Sequence, residues 1–182
     1  GLNAGLWTFV NPLGDATVEI VADVLRIQVP GGRAHDLWAN AKDAPRLMQT
    51  VGNSDFEIEA KFDSTVNQSF QMQGFLVEQD ASNHLRFDVY SDGSAVRVFA
   101  SSTVNNVSTA RITQIITPGN AYYLRVGRVG ATWTYSYSYD GASWTVAGTF
   151  NHAVTVSAVG LFAGNAWGAS SPAFTAHVDY FF

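Results

Sequence analysis

The chain has no cysteine, which excludes structural disulfides and thiolate zinc sites. Charged residues are scarce, at 14% of 182 residues, and the net charge is −5. Without a basic face or a Lys/Arg-rich run, the sequence predicts no binding to nucleic acid and none to an anionic membrane surface. Gly-rich phosphate loops and Gly-x-Ser-x-Gly nucleophile motifs are also missing, so nucleotide chemistry and this type of nucleophilic catalysis have no support.

Helices and linkers are equally hard to find. The best helical candidate, Asp36–Ala41, is no longer than a turn, and no low-complexity run divides the chain. Apolar residues make up 47% of the sequence, which is enough for a sizeable core. We therefore expect one domain over residues 1–182.

What the sequence does have is strand periodicity. About fourteen short runs, among them Ala95–Ala100 and Val154–Ala163, are separated by turn signals such as Asp92-Gly93. In the run Asp55–Asp63, apolar residues occupy every second position between charged ones. Antiparallel sheets with one buried face alternate in this way. The pattern predicts an all-β fold of two stacked antiparallel sheets.

Aromatic residues are concentrated in one of these runs. Between Thr132 and the hairpin signal Asp140-Gly141, rings stand at every second position, as Trp133, Tyr135, Tyr137 and Tyr139. Successive strand residues point to opposite faces, so these rings share one face. Rings pack well against each other on a pleated surface, which favours a core role for this row.

A series of loose motifs, taken in order, resembles a known family. The series includes Asn11-Pro-x-Gly-Asp, Ala44-Pro-Arg-Leu, Gln73-Gly-Phe-Leu-Val, Asn83-His-Leu-Arg-Phe and, at the end, Val178-Asp-Tyr-Phe. It resembles the DUF1349-type domains of the concanavalin A-like lectin/glucanase fold, relatives of the C-terminal β-sandwich of family 43 β-xylosidases. The resemblance implies a two-sheet jelly roll that accompanies glycoside hydrolases in secreted proteins. It also implies that sugars lie on or beside a concave face.

Two tryptophans stand in polar, turn-rich stretches where a ring can stack on a sugar. Trp38 follows Arg33-Ala-His-Asp-Leu, and Trp167 lies in the Gly-flanked stretch Gly164-Asn-Ala-Trp-Gly together with Asn165. Loops carry binding residues more often than the scaffold does. The hydroxyl groups of the sugar would be bound by polar side chains on the sheet surface beside these rings, called here the polar floor. The predicted members of that floor are Arg46, Gln73, His84 and Arg86.

Two classes of glycan-active enzyme are the catalytic alternatives to such a binding site. Asp55, Glu57 and Glu59 share a strand face, and their spacing does not forbid a glycosidase pair. The trio lacks the Glu-x-Asp-x-x-Glu pattern of laminarinase-type glucanases, so a solvated face is the better interpretation. A lyase has less support, because no Gln-x-His or Tyr-x-Lys strand is present.

Calcium is the only metal that the sequence suggests. The histidines are isolated, so no zinc or iron site is expected. Many sandwich modules hold a structural calcium near their termini, and carboxylates with loop carbonyls suit this ion. Asp15 and Asp179 are the candidate ligands.

Together these observations predict a secreted, non-catalytic carbohydrate-binding module. Its partners would be a polysaccharide or oligosaccharide and an adjacent catalytic domain. The alternatives are a hydrolase or lyase of the same fold, and a purely structural accessory domain.

Overall fold

Fourteen strands and one short 3-10 turn, Gly168–Ser170, make up the computed structural model, which describes residues 3–182 except for the side chain of Ala169. In chain order, the strands are β1 (Thr8–Val10), β2 (Thr17–Val21), β3 (Val24–Val29), β4 (Arg46–Thr50), β5 (Phe56–Phe62), β6 (Met72–Asp80), β7 (Asn83–Ser91), β8 (Val96–Val104), β9 (Val107–Ile116), β10 (Tyr122–Val129), β11 (Thr132–Ser138), β12 (Thr145–Asn151), β13 (Ala158–Gly164) and β14 (Phe174–Phe181).

The strands form two seven-stranded antiparallel sheets that stack as a jelly-roll sandwich. Sheet A has the order β1-β4-β13-β6-β7-β8-β9, and sheet B has the order β12-β11-β10-β5-β14-β3-β2. The predicted all-β, two-sheet fold is confirmed. No helix among residues 3–182 is long and apolar enough to cross a membrane.

The main core lies between the sheets and follows the alternation seen in the sequence. On β5, Ile58, Ala60 and Phe62 are buried while Glu57 is exposed. Three of the four rings of the aromatic row pack as predicted: Trp133, Tyr135 and Tyr137 are buried, and the ring centroids of Trp133 and Tyr135 lie 5.9 and 5.5 Å from that of Phe87. Tyr139 departs from the prediction, because it lies beyond the end of β11 and is 43% exposed. The rings of β11 therefore join the two sheets.

Two strand boundaries differ from the predicted ones by four residues. The run from Val154 pairs only from Ala158 onward, because side-chain oxygens of Gln79 and Asn53 accept from the amides of Thr155 and Val156 at 3.0 Å. Conversely, β8 continues to Val104, since small polar residues extend the pairing past a bulge at Ala100/Ser101.

A long connection covers part of the outer face of sheet A. Residues 30–45, called here the cover segment, join β3 to β4 and contribute Leu37 and Ala44 to a second apolar cluster. The cluster's other buried members project from sheet A, and they are Met48, Met72, Leu76 and Phe162. Sheet A is thus buried on both faces wherever the cover segment lies.

The centre of sheet A leaves no room for a side chain at position 74. A Cβ on Gly74 would lie 2.1 Å from the carbonyl oxygen of Phe87 and 2.6 Å from the Cα of Asp88. We expect Gly74→Ala to reduce the free energy of unfolding by about 3 kcal/mol, because the clash is with backbone that cannot move aside. Urea unfolding measures the change.

The matched control is Gly52→Ala, since nothing lies within 4 Å of a Cβ at that position. This variant should change stability by less than about 1 kcal/mol. Equal losses in the two variants would contradict the close approach of β6 and β7.

Candidate functional site

A cleft of about 370 Å³ opens on the outer face of sheet A, beside the middle of the cover segment. One wall is the cover segment and the other is the stretch of residues 165–173, called here the Trp167 loop. β6, β7 and β8 supply the floor. The lining residues are Asp36, Trp38, Phe70, Met72, Arg86, Tyr90, Phe99, Ala166 and Trp167.

Five aromatic rings form a continuous arc around this cleft. From one rim to the other, the centroid distances are 5.2 Å for Trp167–Phe70, 6.1 Å for Phe70–Tyr90, 5.8 Å for Tyr90–Phe99 and 6.1 Å for Phe99–Trp38. The two end rings are the most accessible, with Trp167 69% and Trp38 40% exposed. The arc presents apolar ring surface to solvent from several directions.

Unusual backbone conformations gather at the same place. Among residues 3–182, seven non-glycine residues have positive φ, and four of them form the hairpin turns 22–23 and 105–106. The other three flank or line the cleft: Ala39 at 56°, Phe70 at 63° and Trp167 at 76°. For bulky residues this conformation costs about 1–3 kcal/mol each, so the fold must hold them there. The amide of Phe70, for example, donates to the carbonyl of Ser91 at 2.6 Å.

A buried ion pair forms the polar part of the floor. Arg86 donates from Nε to Asp88 Oδ2 and, at 3.1 Å, from Nη1 to Asp36 Oδ1. Its guanidinium also lies 5.2 Å from the ring centroid of Phe99. Burial raises the pKa of Asp88, although the nearby Arg86 opposes this shift. Within residues 3–182 no hydrogen bond uses Asp36 Oδ2 or Arg86 Nη2, and both side chains line the cleft.

Three of the predicted ligand-binding residues meet in this cleft, namely Trp38, Arg86 and Trp167. Gln73 does not, and its assignment to the floor is wrong. It is fully buried between the sheets, where its side chain contacts the Ser64 hydroxyl and donates to the Ser64 carbonyl at 2.8 Å. The alternation along β6 predicts this position, because Gln73 lies on the same strand face as the core residues Phe75 and Val77.

Arg46 and His84 lie on the predicted face but underneath the cover segment. Arg46 pairs with Glu78 at 3.5 Å and donates to the Ala44 carbonyl at 3.2 Å. His84 Nδ1 lies 3.2 Å from Lys42 Nζ. Burial, reinforced by the positive charge of Lys42, lowers the pKa of His84 to about 4. Both side chains therefore hold the cover segment in place and do not line the cleft.

Asn165 joins the two walls of the cleft. His35 and Asn165 form an isolated antiparallel bridge, with amide-to-carbonyl distances of 3.0 and 3.1 Å. The Asn165 side chain also accepts from the His35 amide at 2.8 Å and donates to the carbonyls of Pro30 and Pro172. Asn165 is fully buried, so it positions the walls and does not line the cleft as the sequence prediction had it.

The two predicted calcium ligands do not share a site. Asp15 Oδ1 lies 2.9 Å from His35 Nε2, and this hydrogen bond lowers the pKa of Asp15. Asp179 pairs with Lys61 at 2.9 Å, near the opposite end of β3. Among residues 3–182, no three His, Asp or Glu side chains are grouped to hold a metal ion. Each carboxylate thus has a nitrogen partner.

The carboxylate trio lies on the outer face of sheet B, away from the cleft. Asp55 accepts from the Gly130 amide at 2.7 Å, and Glu57 is solvent-exposed. Glu59 departs from the predicted solvated face, because Arg125 at 2.6 Å and the Tyr180 hydroxyl at 2.6 Å bury it.

Sequence reasoning missed six residues of the cleft lining: Asp36, Phe70, Met72, Tyr90, Phe99 and Ala166. Tyr90 continues the alternating positions of His84, Arg86 and Asp88 along β7. The sequence could therefore have placed its side chain on the same face of sheet A. Phe70 lies in a connection with left-handed backbone, and the sequence carried no signal for its position.

The fold is that of the concanavalin A-like β-sandwich proteins, here with an aromatic cleft on one outer face. The family model described as "Protein of unknown function (DUF1349)" matches residues 16–179, so the chain belongs to this family. Among curated proteins, none matches the chain.

Solved structures share the fold at low sequence identity. A functionally unknown protein from Saccharomyces cerevisiae has a TM-score of 0.77 at 15% identity, covering 97% of this chain and 93% of its own. The GH43 protein BlXynB from Bacillus licheniformis has a TM-score of 0.75 at 16% identity over 96% of this chain, which spans only 36% of that protein. The carbohydrate-binding module CBM66 from Bacillus subtilis has a TM-score of 0.64 at 14% identity, covering 96% and 92%.

The buried His84 predicts a pH dependence of stability. Its pKa is lowered from 6.5 to about 4, so the unfolded chain binds the proton more tightly. The stabilising effect of the neutral ring is complete above pH 6.5 and is lost as the pH falls to about 4. Between pH 6.5 and about 4, we expect the free energy of unfolding of His84→Gln to fall by less than that of the wild type, the difference being on the order of 2–3 kcal/mol. Urea unfolding at several pH values measures it.

Lys42→Met provides a second test, because removing the positive charge raises the pKa of His84. Its stability should fall less steeply with acid than that of the wild type. A wild-type slope in both variants would contradict a buried neutral histidine.

Chelation is expected to leave stability unchanged, because Asp15 and Asp179 are held by nitrogen partners. Thermal melts with EGTA and with calcium-saturated EGTA should coincide. A drop of several degrees in EGTA alone would mean that calcium is bound elsewhere.

Proposed function

We propose that this protein is a non-catalytic carbohydrate-binding domain and that the aromatic cleft is its binding site. The observation that carries the proposal is the five-ring arc around the Arg86–Asp36 pair. Sugar rings have apolar C–H faces that stack on aromatic side chains, and hydroxyls that need donors and acceptors. The arc offers the first and the ion pair offers the second. Pockets of this kind, mostly apolar with a few convergent polar groups, are typical ligand sites.

The arrangement of the rings favours a short stretch of a single glycan chain as the ligand over the flat surface of a crystalline polysaccharide. Three of the four neighbouring ring pairs are inclined, by 72° for Trp167–Phe70, 88° for Tyr90–Phe99 and 50° for Phe99–Trp38, and only Phe70 and Tyr90 are nearly parallel, at 14°. A flat, crystalline polysaccharide would need coplanar rings to contact several of them together. The cleft volume of about 370 Å³ is near the lower end for small-molecule sites. One or two sugar units in the cleft, bound with modest affinity, fit these dimensions.

The comparisons support the same function by analogy. One similar structure is a carbohydrate-binding module, and another is a GH43 protein of which this chain spans about a third. We infer that the natural partner is a polysaccharide or oligosaccharide, that a glycoside hydrolase domain acts nearby, and that the protein is secreted. Fold analogy alone does not establish function, so the proposal depends on the cleft.

Binding is favoured over catalysis by the positions of the carboxylates. The two nearest the cleft, Asp36 and Asp88, both contact the same guanidinium, and Asp88 is completely buried. A glycosidase needs one carboxyl as acid and a second beside the scissile bond. Release of reducing sugar or unsaturated product from a bound polysaccharide would favour the enzyme instead.

Affinity electrophoresis with the two tryptophan variants tests the proposal. Native gels containing neutral polysaccharides such as xyloglucan, arabinan, galactan or levan should retard the wild type. Trp38→Ala and Trp167→Ala should weaken retention at least tenfold, since an aromatic anchor at a binding site is commonly worth about 2 kcal/mol. The melting temperature of Trp167→Ala should stay near that of the wild type, because the side chain is 69% exposed.

Phe182→Ala is the matched control, since Phe182 is equally exposed at 69% but follows β14 in sheet B. It should be retarded as strongly as the wild type. Failure of every gel to retard the wild type would refute glycan binding and favour a structural accessory domain.

A further inference from the structure

We propose that the cleft selects uncharged sugars and rejects uronic acids, and that Asp36 makes this distinction. The inference rests on the proposed function and names the class of glycan that the same site accepts. Its basis is the balance of charge in the cleft and the fixed position of the one cation among the described lining residues, Arg86.

The charge of Arg86 is already compensated. Its Nε contacts Asp88 and its Nη1 contacts Asp36, so two carboxylates share one guanidinium. A uronate carboxylate gains strong binding only from a cation that is free to pair with it. The neighbouring cation Arg97 is likewise engaged, at 2.6 Å from Asp92, and it does not line the cleft. Among the described lining residues, an acidic sugar would therefore find no unpaired positive charge.

Arg86 also has little freedom to move toward a ligand. Its side chain is 6% exposed, and the guanidinium lies 5.2 and 5.7 Å from the ring centroids of Phe99 and Phe162. The buried Asp88 holds the other edge of the group, and swinging away would leave Asp88 without a partner. The floor is therefore rigid, and its donor Nη2 stays in place.

The carboxylate of Asp36 accounts for the exclusion of acidic sugars. One carboxylate oxygen accepts from the Leu37 amide at 2.7 Å and from Arg86, which leaves Oδ2 as an acceptor at the cleft. A sugar hydroxyl can donate to this oxygen while a second hydroxyl accepts from Arg86 Nη2. A carboxylate has no proton to donate, so it would meet Asp36 as a like charge, which is strongly unfavourable at a partly desolvated site.

The test compares the wild type with Asp36→Asn and Asp36→Glu in gels of neutral and acidic polysaccharides. The acidic probes are alginate and polygalacturonate, and fully methyl-esterified polygalacturonate supplies the same backbone without its charge. We expect the wild type to be retarded by neutral gels only. The ratio of neutral to acidic affinity should fall at least tenfold in Asp36→Asn, because Asn keeps the Oδ1 acceptor and removes the charge. Asp36→Glu, which keeps the charge, should still exclude the acidic gels.

The outcomes separate the two proposals. If no gel retards the wild type, glycan binding itself is refuted. If alginate or polygalacturonate retards the wild type as strongly as neutral gels do, glycan binding stands and the selectivity is overturned. An Asp36→Asn variant that is folded by its thermal melt, yet still excludes acidic gels, overturns the role of Asp36. The wild-type gels test the selectivity even if Asp36→Asn does not fold.

Discussion

The cover segment and its bridge to Asn165 are the constraint on which the rest of the site depends. Sheet A carries apolar side chains on its outer face as well as its inner one, and the cover segment buries part of that outer surface. The His35–Asn165 bridge fixes this cover and the Trp167 loop to each other by backbone and side-chain hydrogen bonds. The cover reaches across the sheet to β9, where the Ala39 amide donates to the Ser108 hydroxyl at 2.7 Å. The apolar surface left open between the cover and the Trp167 loop becomes the floor of a cleft whose two walls are tied together.

The same outer face accommodates a buried charge, and a glycine makes this possible. On the strand beside Asp88, Gly74 presents only hydrogen, and any larger residue would occupy the space of the Asp88 backbone and Cβ. Asp88 can then hold Arg86, which reaches Asp36 on the cover segment. Buried ion pairs seldom add much net stability, but they fix geometry because losing either partner is costly. In this protein the pair fixes the only guanidinium of the described cleft lining.

The sequence indicated the two sheets, the wall residues Trp38 and Trp167 and one floor residue, Arg86, but not the paths of the walls that hold them. Alternation predicted the strands, the packed row on β11 and the outward position of Arg86, because strand geometry forces that periodicity. The same rule, applied from Phe75, would have placed Gln73 inside the sandwich. Arg46 and His84 were on the right face, and only the path of the cover segment decides that they are buried. That path depends on contacts between distant residues such as His35 and Asn165, for which a single sequence gives no local signal.

Backbone strain in the cleft coincides with an exposed aromatic ring. Trp167 is 69% exposed yet stands in left-handed backbone, a conformation that glycine would adopt without penalty. Phe70 has a similar conformation and contacts the Trp167 ring at 5.2 Å. Phe70 packs against the second apolar cluster, but stability alone gives no reason for Trp167 to be both strained and largely exposed. Contact with a ligand that has apolar faces does, because the exposed ring surface is then buried on binding. The strain and the exposure therefore point to the same cleft as the arc of rings and the ion pair.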